Sequence, residues 1–288
     1  MPSLKHIRRR IGSVKNTQKI TRAMKMVAAA KLRKAQETVE RFRSYSNATV
    51  SMLAEVARDA GGEEHPLLER RPVQSSLVLV ISSDRGLCGG FNTNLNRMVG
   101  AHLKEHAPAP SLAIVGKKSA AYFQRRDAII AEIFADVYSE PGYAVAARIA
   151  RRLIAKYTSG EVDRIDLAYN EMLSVASQKP TIKPLLPIEL PAAEESSGKE
   201  SLAGTYLFEP DGEQLLAKIL PMYVEVAVCR ALLESIAAEH ASRMAAMDAA
   251  TTNAQDMIEH LTLVYNRARQ SAITSELMDI VGGAEALD

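Results

Sequence analysis

Apolar residues recur along both ends of this chain at alternating steps of three and four. From Leu4 the series runs Ile7, Ile11, Val14, Gln18, Thr21, Lys25, Ala28, Leu32, Ala35, Val39, Phe42, Ser46, Thr49, Leu53 and Val56 without a slip. From Ile219 a second series runs Tyr223, Val226, Arg230, Leu233, Ala237, His240, Met244, Met247, Thr251, Ala254, Ile258, Leu261, Tyr265, Ala268, Ala272 and Ser275. A seven-residue repeat held this long predicts helices that supercoil left-handedly. The breakers agree. No Pro or Gly falls between Ser13 and Ala60, or between Met222 and Val281, and a helix interior loses about 3 kcal/mol to Pro and about 1 kcal/mol to Gly. The simplest partner for each helix is the other, which the returning chain would make antiparallel; the alternative is two separate helices that each bind something else. Polar members interrupt the seams at Gln18, Thr21 and Lys25, and at Arg230 and His240. Such positions weaken packing and can fix register.

The middle of the chain follows another pattern. Ser76 to Ser82 is a short continuous apolar run rich in β-branched residues, which predicts a buried parallel strand. A glycine-rich loop, Asp84 to Gly90, and a helix from Asn92 to His106 follow. Leu112–Val115 reads as the next strand, Lys117–Arg125 as a helix, Ala128–Phe134 as a third strand, and Gly142–Tyr157 as a helix. Another strand begins at Arg164. This alternation predicts a Rossmann-like α/β domain with a mostly parallel sheet. Pro180, Pro184, Pro187 and Pro191 then read as its exit, and the Glu- and Ser-rich stretch from Ala192 as a solvated linker. The expected organisation is a helix over 1–60, an α/β domain over 75–191, a linker over 192–208 and a second helix over 209–288.

Composition narrows the function classes. Aromatic residues make up only 5%, with no Trp, and the net charge is +2. The two cysteines, Cys88 and Cys229, cannot build a disulfide framework and fit a reducing compartment. The longest aliphatic run, Leu77 to Ile81, is far short of the roughly 20 residues a membrane helix needs. Neither a membrane span nor a secretory signal is expected.

Charge is uneven. Lys and Arg crowd the first helix, and no Asp or Glu precedes Glu37. Such self-repulsion calls for something acidic opposite. Nucleic acid would supply phosphates, but no aromatic residue before Phe42 could stack a base. A transit peptide is also acid-poor, but the heptad runs through the segment. A rod end held inside an acidic protein cavity fits best. The second long helix is acid-rich, which would help pair it with the first.

Catalytic motifs fail on inspection. Gly116-Lys117-Lys118-Ser119 has Ser111 where a phosphate-binding loop needs its first glycine. His102-Leu-Lys-Glu-His106 has the letters of an inverted zinc-protease motif, but Pro108 and Pro110 follow at once, which makes it a helix end. Both cysteines read as small core residues. No catalytic constellation, cofactor or metal site is expected.

Four blocks carry a resemblance. Ile11 to Lys31, Ser83 to Gly90, Arg243 to Asn253 and Leu263 to Leu277 closely resemble, in order, the gamma subunits of F-type rotary ATP synthases. The resemblance implies a non-catalytic central-stalk rotor with an antiparallel coiled coil of its terminal helices. It implies coupling of proton flow through a membrane ring to ATP synthesis at beta subunits, and regulation of ATPase activity and proton flow. Implied partners are the alpha–beta hexamer, the epsilon subunit and the c ring, with no nucleic acid and no cofactor. By motif, Met24, Lys25, Arg269, Gln270 and Thr274 would meet a beta subunit. Tyr206, Leu207 and Glu209 would rest on the c ring, and Asp84, Arg85 and Gly86 would lie in the foot near epsilon and the ring. The implied location is peripheral, on the cytoplasmic face of a bacterial inner membrane.

Overall fold

The computed structural model describes residues 3–59, 65–189 and 212–285. In chain order the elements are α1 (Leu4–Asp59), β1 (Ser76–Ile81), α2 (Phe91–Glu105), β2 (Ser111–Val115), α3 (Lys117–Gln124), β3 (Ile130–Phe134), α4 (Tyr143–Thr158), β4 (Arg164–Met172), β5 (Gln178–Leu186) and α5 (Gly212–Glu285). The chain forms two compact units, one of Met1–Ala29 with Arg243–Asp288, the other of Ala30–Ser242. The expected linker 192–208, with Tyr206, Leu207 and Glu209, lies outside the described residues.

In the first unit α1 and α5 run antiparallel. Gln18 Nε2 donates to Gln255 Oε1 at 2.9 Å, Thr251 Oγ1 to Thr21 Oγ1 at 2.8 Å, and Lys25 Nζ meets Asp248 Oδ1 at 2.6 Å. One index climbs as the other falls, which is the antiparallel register. The polar seam positions of α1 therefore find polar partners across the pair, while Ile7, Ala28, Met247, Ala254 and Ile258 fill the dry part of it.

The second unit holds a five-stranded sheet in the order β3-β2-β1-β4-β5. β1 pairs in parallel with β2 and β4, and β2 with β3. Strand β5 is an antiparallel edge, and it corrects the reading of the prolines as a mere exit. Pro180 and Pro184 lie within it, which an edge tolerates because half its N–H groups need no ladder partner. α2 and α3 cover one face of the sheet, where Leu95, Val99 and Phe123 pack on Val78, Val80 and Ile114. α4 and α5 cover the other, where Ile149, Leu153, Val228 and Leu232 pack on Leu79, Ile81 and Leu167.

Helix α5 begins at Gly212 and runs through Pro221. Burial of Leu216, Ile219 and Leu220 around that residue offsets the roughly 3 kcal/mol an interior proline costs. Between Val224 and Ala241 this helix is buried on nearly every side. The heptad face meets α1, whose Leu53 and Val56 join the same cluster, and the opposite face meets the sheet.

Candidate functional surfaces

The outer face of the helical unit comes first. Lys5, Arg8, Arg9, Arg10, Lys15, Lys19 and Arg22 all point away from the seam. Beside them stand exposed apolar side chains, with Ile20 and Met26 each 60% accessible. On α5, Leu263, Ile273, Leu277 and Met278 are likewise exposed. Large apolar groups next to a dense single-sign charge are costly in water.

Met24 and Lys25 are half-buried at the seam's margin, and Lys25 is spent in its contact with Asp248. Arg269, Gln270 and Thr274 are exposed on α5. The Thr274 hydroxyl donates to the Gln270 carbonyl at 3.0 Å, so the two form one local patch.

In the domain, the loop Asp84–Gly90 leaves β1 at the end of the parallel strands. Ser83 Oγ donates to the Arg85 carbonyl at 2.7 Å, and Asn92 Nδ2 donates to Ser83 Oγ at 2.8 Å. Asp84 Oδ1 accepts the Lys117 backbone N–H at 2.9 Å and so caps α3. Leu87 stands in left-handed backbone at φ 62° with its side chain out in solvent.

This geometry excludes the phosphate reading on physical grounds. The first turn of α3 is where a phosphate would dock. Its N–H groups are already taken by Asp84, by the Ser83 carbonyl and by Ser82 Oγ. Nucleotides bind doubly wound sheets where the strand order reverses, here between β1 and β4. That crevice is filled by α5: Ser235 Oγ donates to the Ile81 carbonyl, Ser242 Oγ to the Cys88 carbonyl, and Ala238 packs with Cys88 and Phe91.

The other sequence candidates sit in structural settings. His102 Nε2 lies 3.7 Å from Asp166 Oδ2, and Arg164 Nε holds that carboxylate at 3.0 Å. Among the described residues no three His, Cys, Asp or Glu side chains group to hold a metal ion. Cys88 and Cys229 are buried, and burial pushes the Cys229 thiol up to about 12. No described helix is long and apolar enough to cross a membrane.

One set of residues escaped the sequence reading. Glu225, Glu234 and Glu239 are buried on α5. Glu225 accepts from Tyr143 at 2.6 Å and from Arg151 Nε at 2.9 Å. Glu234 accepts from Arg230 Nε at 2.8 Å. Glu234 and its neighbours looked like solvated complements to the basic helix, because nothing in their spacing announces burial.

Comparison with known proteins is consistent along the whole chain. The family model described as ATP synthase matches residues 3–287. An ATP synthase gamma chain of Pelotomaculum thermopropionicum is 47% identical over 288 residues, covering 100% of both chains. One from Desulfitobacterium hafniense is 48% identical over 288 residues, with the same full coverage. A solved structure of the Tetrahymena thermophila mitochondrial ATP synthase, central stalk and c ring, has a similar chain. It is 26% identical with a TM-score of 0.62, over 80% of this chain and 99% of that one. With a full-length family match and relatives near half identity, this chain belongs to the ATP synthase gamma-chain family.

Proposed function

We propose that this chain is the turning shaft of a proton-driven ATP synthase, coupling ring rotation to ATP synthesis on beta subunits and restraining idle hydrolysis and proton leak. The observation that carries the reading is the polar register Gln18–Gln255, Thr21–Thr251 and Lys25–Asp248 beneath a basic, partly apolar outer face. A pair keyed this way turns as one coiled coil, and its surface asks for an enclosing partner. That partner is the alpha–beta hexamer, with Met24, Lys25, Arg269, Gln270 and Thr274 facing beta subunits. The chain supplies no reaction chemistry of its own.

The α/β domain, over 75–191, and the lower parts of both helices form the foot, joined by the linker 192–208. Tyr206, Leu207 and Glu209 rest on the c ring. The loop Asp84, Arg85, Gly86 hydrogen-bonds through Cys88 to Ser242, about 45 Å along α5 from Gly212 at 1.5 Å per residue. It lies in the foot, near the epsilon subunit and the ring. The complex holds the chain peripherally at the cytoplasmic face of a bacterial inner membrane.

The test is a disulfide between T21C and T251C in the assembled complex. Two helices that turn together lose nothing by being joined, so oxidation should leave bead rotation and ATP turnover within about twofold of the reduced state. Rotation that stops on oxidation and returns with reductant would refute the shaft.

A further inference from the structure

Two turns meet at the carboxyl end of the parallel strands. One is the loop 84–90 that leaves β1. The other joins β4 to β5, because β4 runs on to Met172 after its last pairing with β1 at Ala168. Met172 packs on Cys88 and Phe91, which brings the two turns together. The residue before Cys88 and the residue after Met172 are both exposed aliphatics: Leu87 is 65% accessible and Leu173 62%. Val175, at the crown of the second turn, is exposed as well. A lone exposed leucine is ordinary. These side chains are out of place for the backbone that carries them. Leu87 holds φ 62°, a conformation that costs an L side chain roughly 1–2 kcal/mol and that glycine takes freely. Val175 is β-branched at the centre of a tight turn, where Gly, Asn, Asp or Pro is the usual choice. Neither turn is loose. Ser174 and Ser177 exchange both backbone hydrogen bonds, at 3.0 and 3.3 Å, and Gln178 Nε2 donates to the Val175 carbonyl at 2.8 Å. Positive charge flanks the aliphatics on the loop side. Lys118 Cε and Nζ lie 3.7 and 3.8 Å from where a Gly86 Cβ would stand. Lys117 and Lys118 join the fold through backbone N–H groups, to Asp84 and to the Ser83 carbonyl, and their side chains are exposed. The acids of the two turns are engaged, Asp84 by that N–H and Glu171 by Lys183 at 2.8 Å.

We propose that this end of the sheet is a pre-formed docking surface for an acidic segment of another subunit. Aliphatic side chains of that segment seat on Leu87, Leu173 and Val175, and its carboxylates meet Lys117 and Lys118. The physical reason is preorganisation. Anchors displayed on hydrogen-bonded turns lose little freedom on binding, so more of their burial appears as affinity. The aliphatics supply the dry centre of such an interface and the lysines its charged rim, which steers and selects the partner. An anionic bilayer also attracts leucine beside lysine. It accepts anchors at any spacing, however, and gives no reason to fix them in strained, tightly bonded turns. That the partner is a subunit of the synthase rests on the proposed function; the surface itself does not.

The test uses the purified, assembled complex. A benzophenone photo-crosslinking residue replaces Leu87, Leu173 or Val175, one at a time. All three should join the same stretch of one subunit, and mass spectrometry of the adduct should find aliphatic side chains and carboxylates within it. The same group in place of exposed Lys104, near the C-terminal end of α2, should give several-fold less of that adduct. The K117E/K118E variant keeps both backbone bonds, and it should lower the yield from the Leu87 position about fivefold at low salt. Adducts with lipid, adducts with different subunits from the two turns, or adducts with a stretch lacking carboxylates overturn the proposal. So does a yield that K117E/K118E leaves unchanged, or one no greater than that from Lys104. A crosslinker in place of Arg269 reports separately: failure to reach a beta subunit from there would count against the shaft and leave this surface standing.

Discussion

At the scale of single residues, two positions show how local geometry sets tolerance. Gly116 joins β2 to α3 at φ 101°, and a Cβ there would sit 2.4 Å from the Ser82 carbonyl oxygen. The clash is with backbone, which cannot step aside. Gly116→Ala should cost roughly 1–3 kcal/mol from the left-handed conformation and more from the contact; a thermal melt superimposing on wild type would refute this. His102 is the second. Burial first, and then the His106 charge, lower its pKa below the usual 6.5. The unfolded chain then binds the proton more readily than the folded one, so stability rises with pH through that range and falls on acidification. The protection of amides at the end of α2, with the intrinsic pH dependence of exchange divided out, should fall between about pH 7.5 and pH 5.5, and His102→Gln should flatten that dependence. An unchanged slope in the variant would move the effect to His65, whose pKa burial also lowers.

At the scale of elements, the long helices are defined by what interrupts their seam. Lys25 and Asp248 are 40% and 56% accessible, so their ion pair contributes only ~0.2–1 kcal/mol. Thr21 and Thr251 are better shielded. Each hydroxyl also donates to a carbonyl of its own helix, Thr21 to Gln18 and Thr251 to Met247, so either single replacement loses the same cross-pair bond and replacing both loses it only once. A double-mutant cycle of T21V and T251V, read by hydrogen exchange on α1, should show the pair costing about 1 kcal/mol less than the sum of its singles. Strict additivity would mean that the two hydroxyls do not depend on each other. The heptad made both helices legible from the chain alone, because the period survives any change in what lies outside the seam. Strand β5 was not legible. Its prolines carry a breaker signal, and only its place at the sheet edge, against β4, makes them harmless.

At the scale of the whole molecule, the proposed shaft presents charge to its partners. Lys19 and Arg22 are exposed on α1. The variant K19E/R22E, which leaves the Lys25–Asp248 pair intact, should lower ATP turnover of the assembled complex several-fold. Raising salt should narrow the gap, since exposed charges are screened within about 10 Å at 0.1 M. Turnover equal to wild type at low salt would remove these charges from the mechanism.

The sequence by itself determined the two long helices, the parallel strands and the crowding of basic charge on α1. These depend on period, breakers and charge, all local properties of the chain. Only the tertiary structure decided that α1 and α5 pair antiparallel, that α5 is buried on both faces between Val224 and Ala241, that Glu225 is bonded to α4, and that α5 and Asp84 fill the places a nucleotide would take. Each of those outcomes depends on which distant segment arrives at a given side chain, and no spacing along the chain records that arrival.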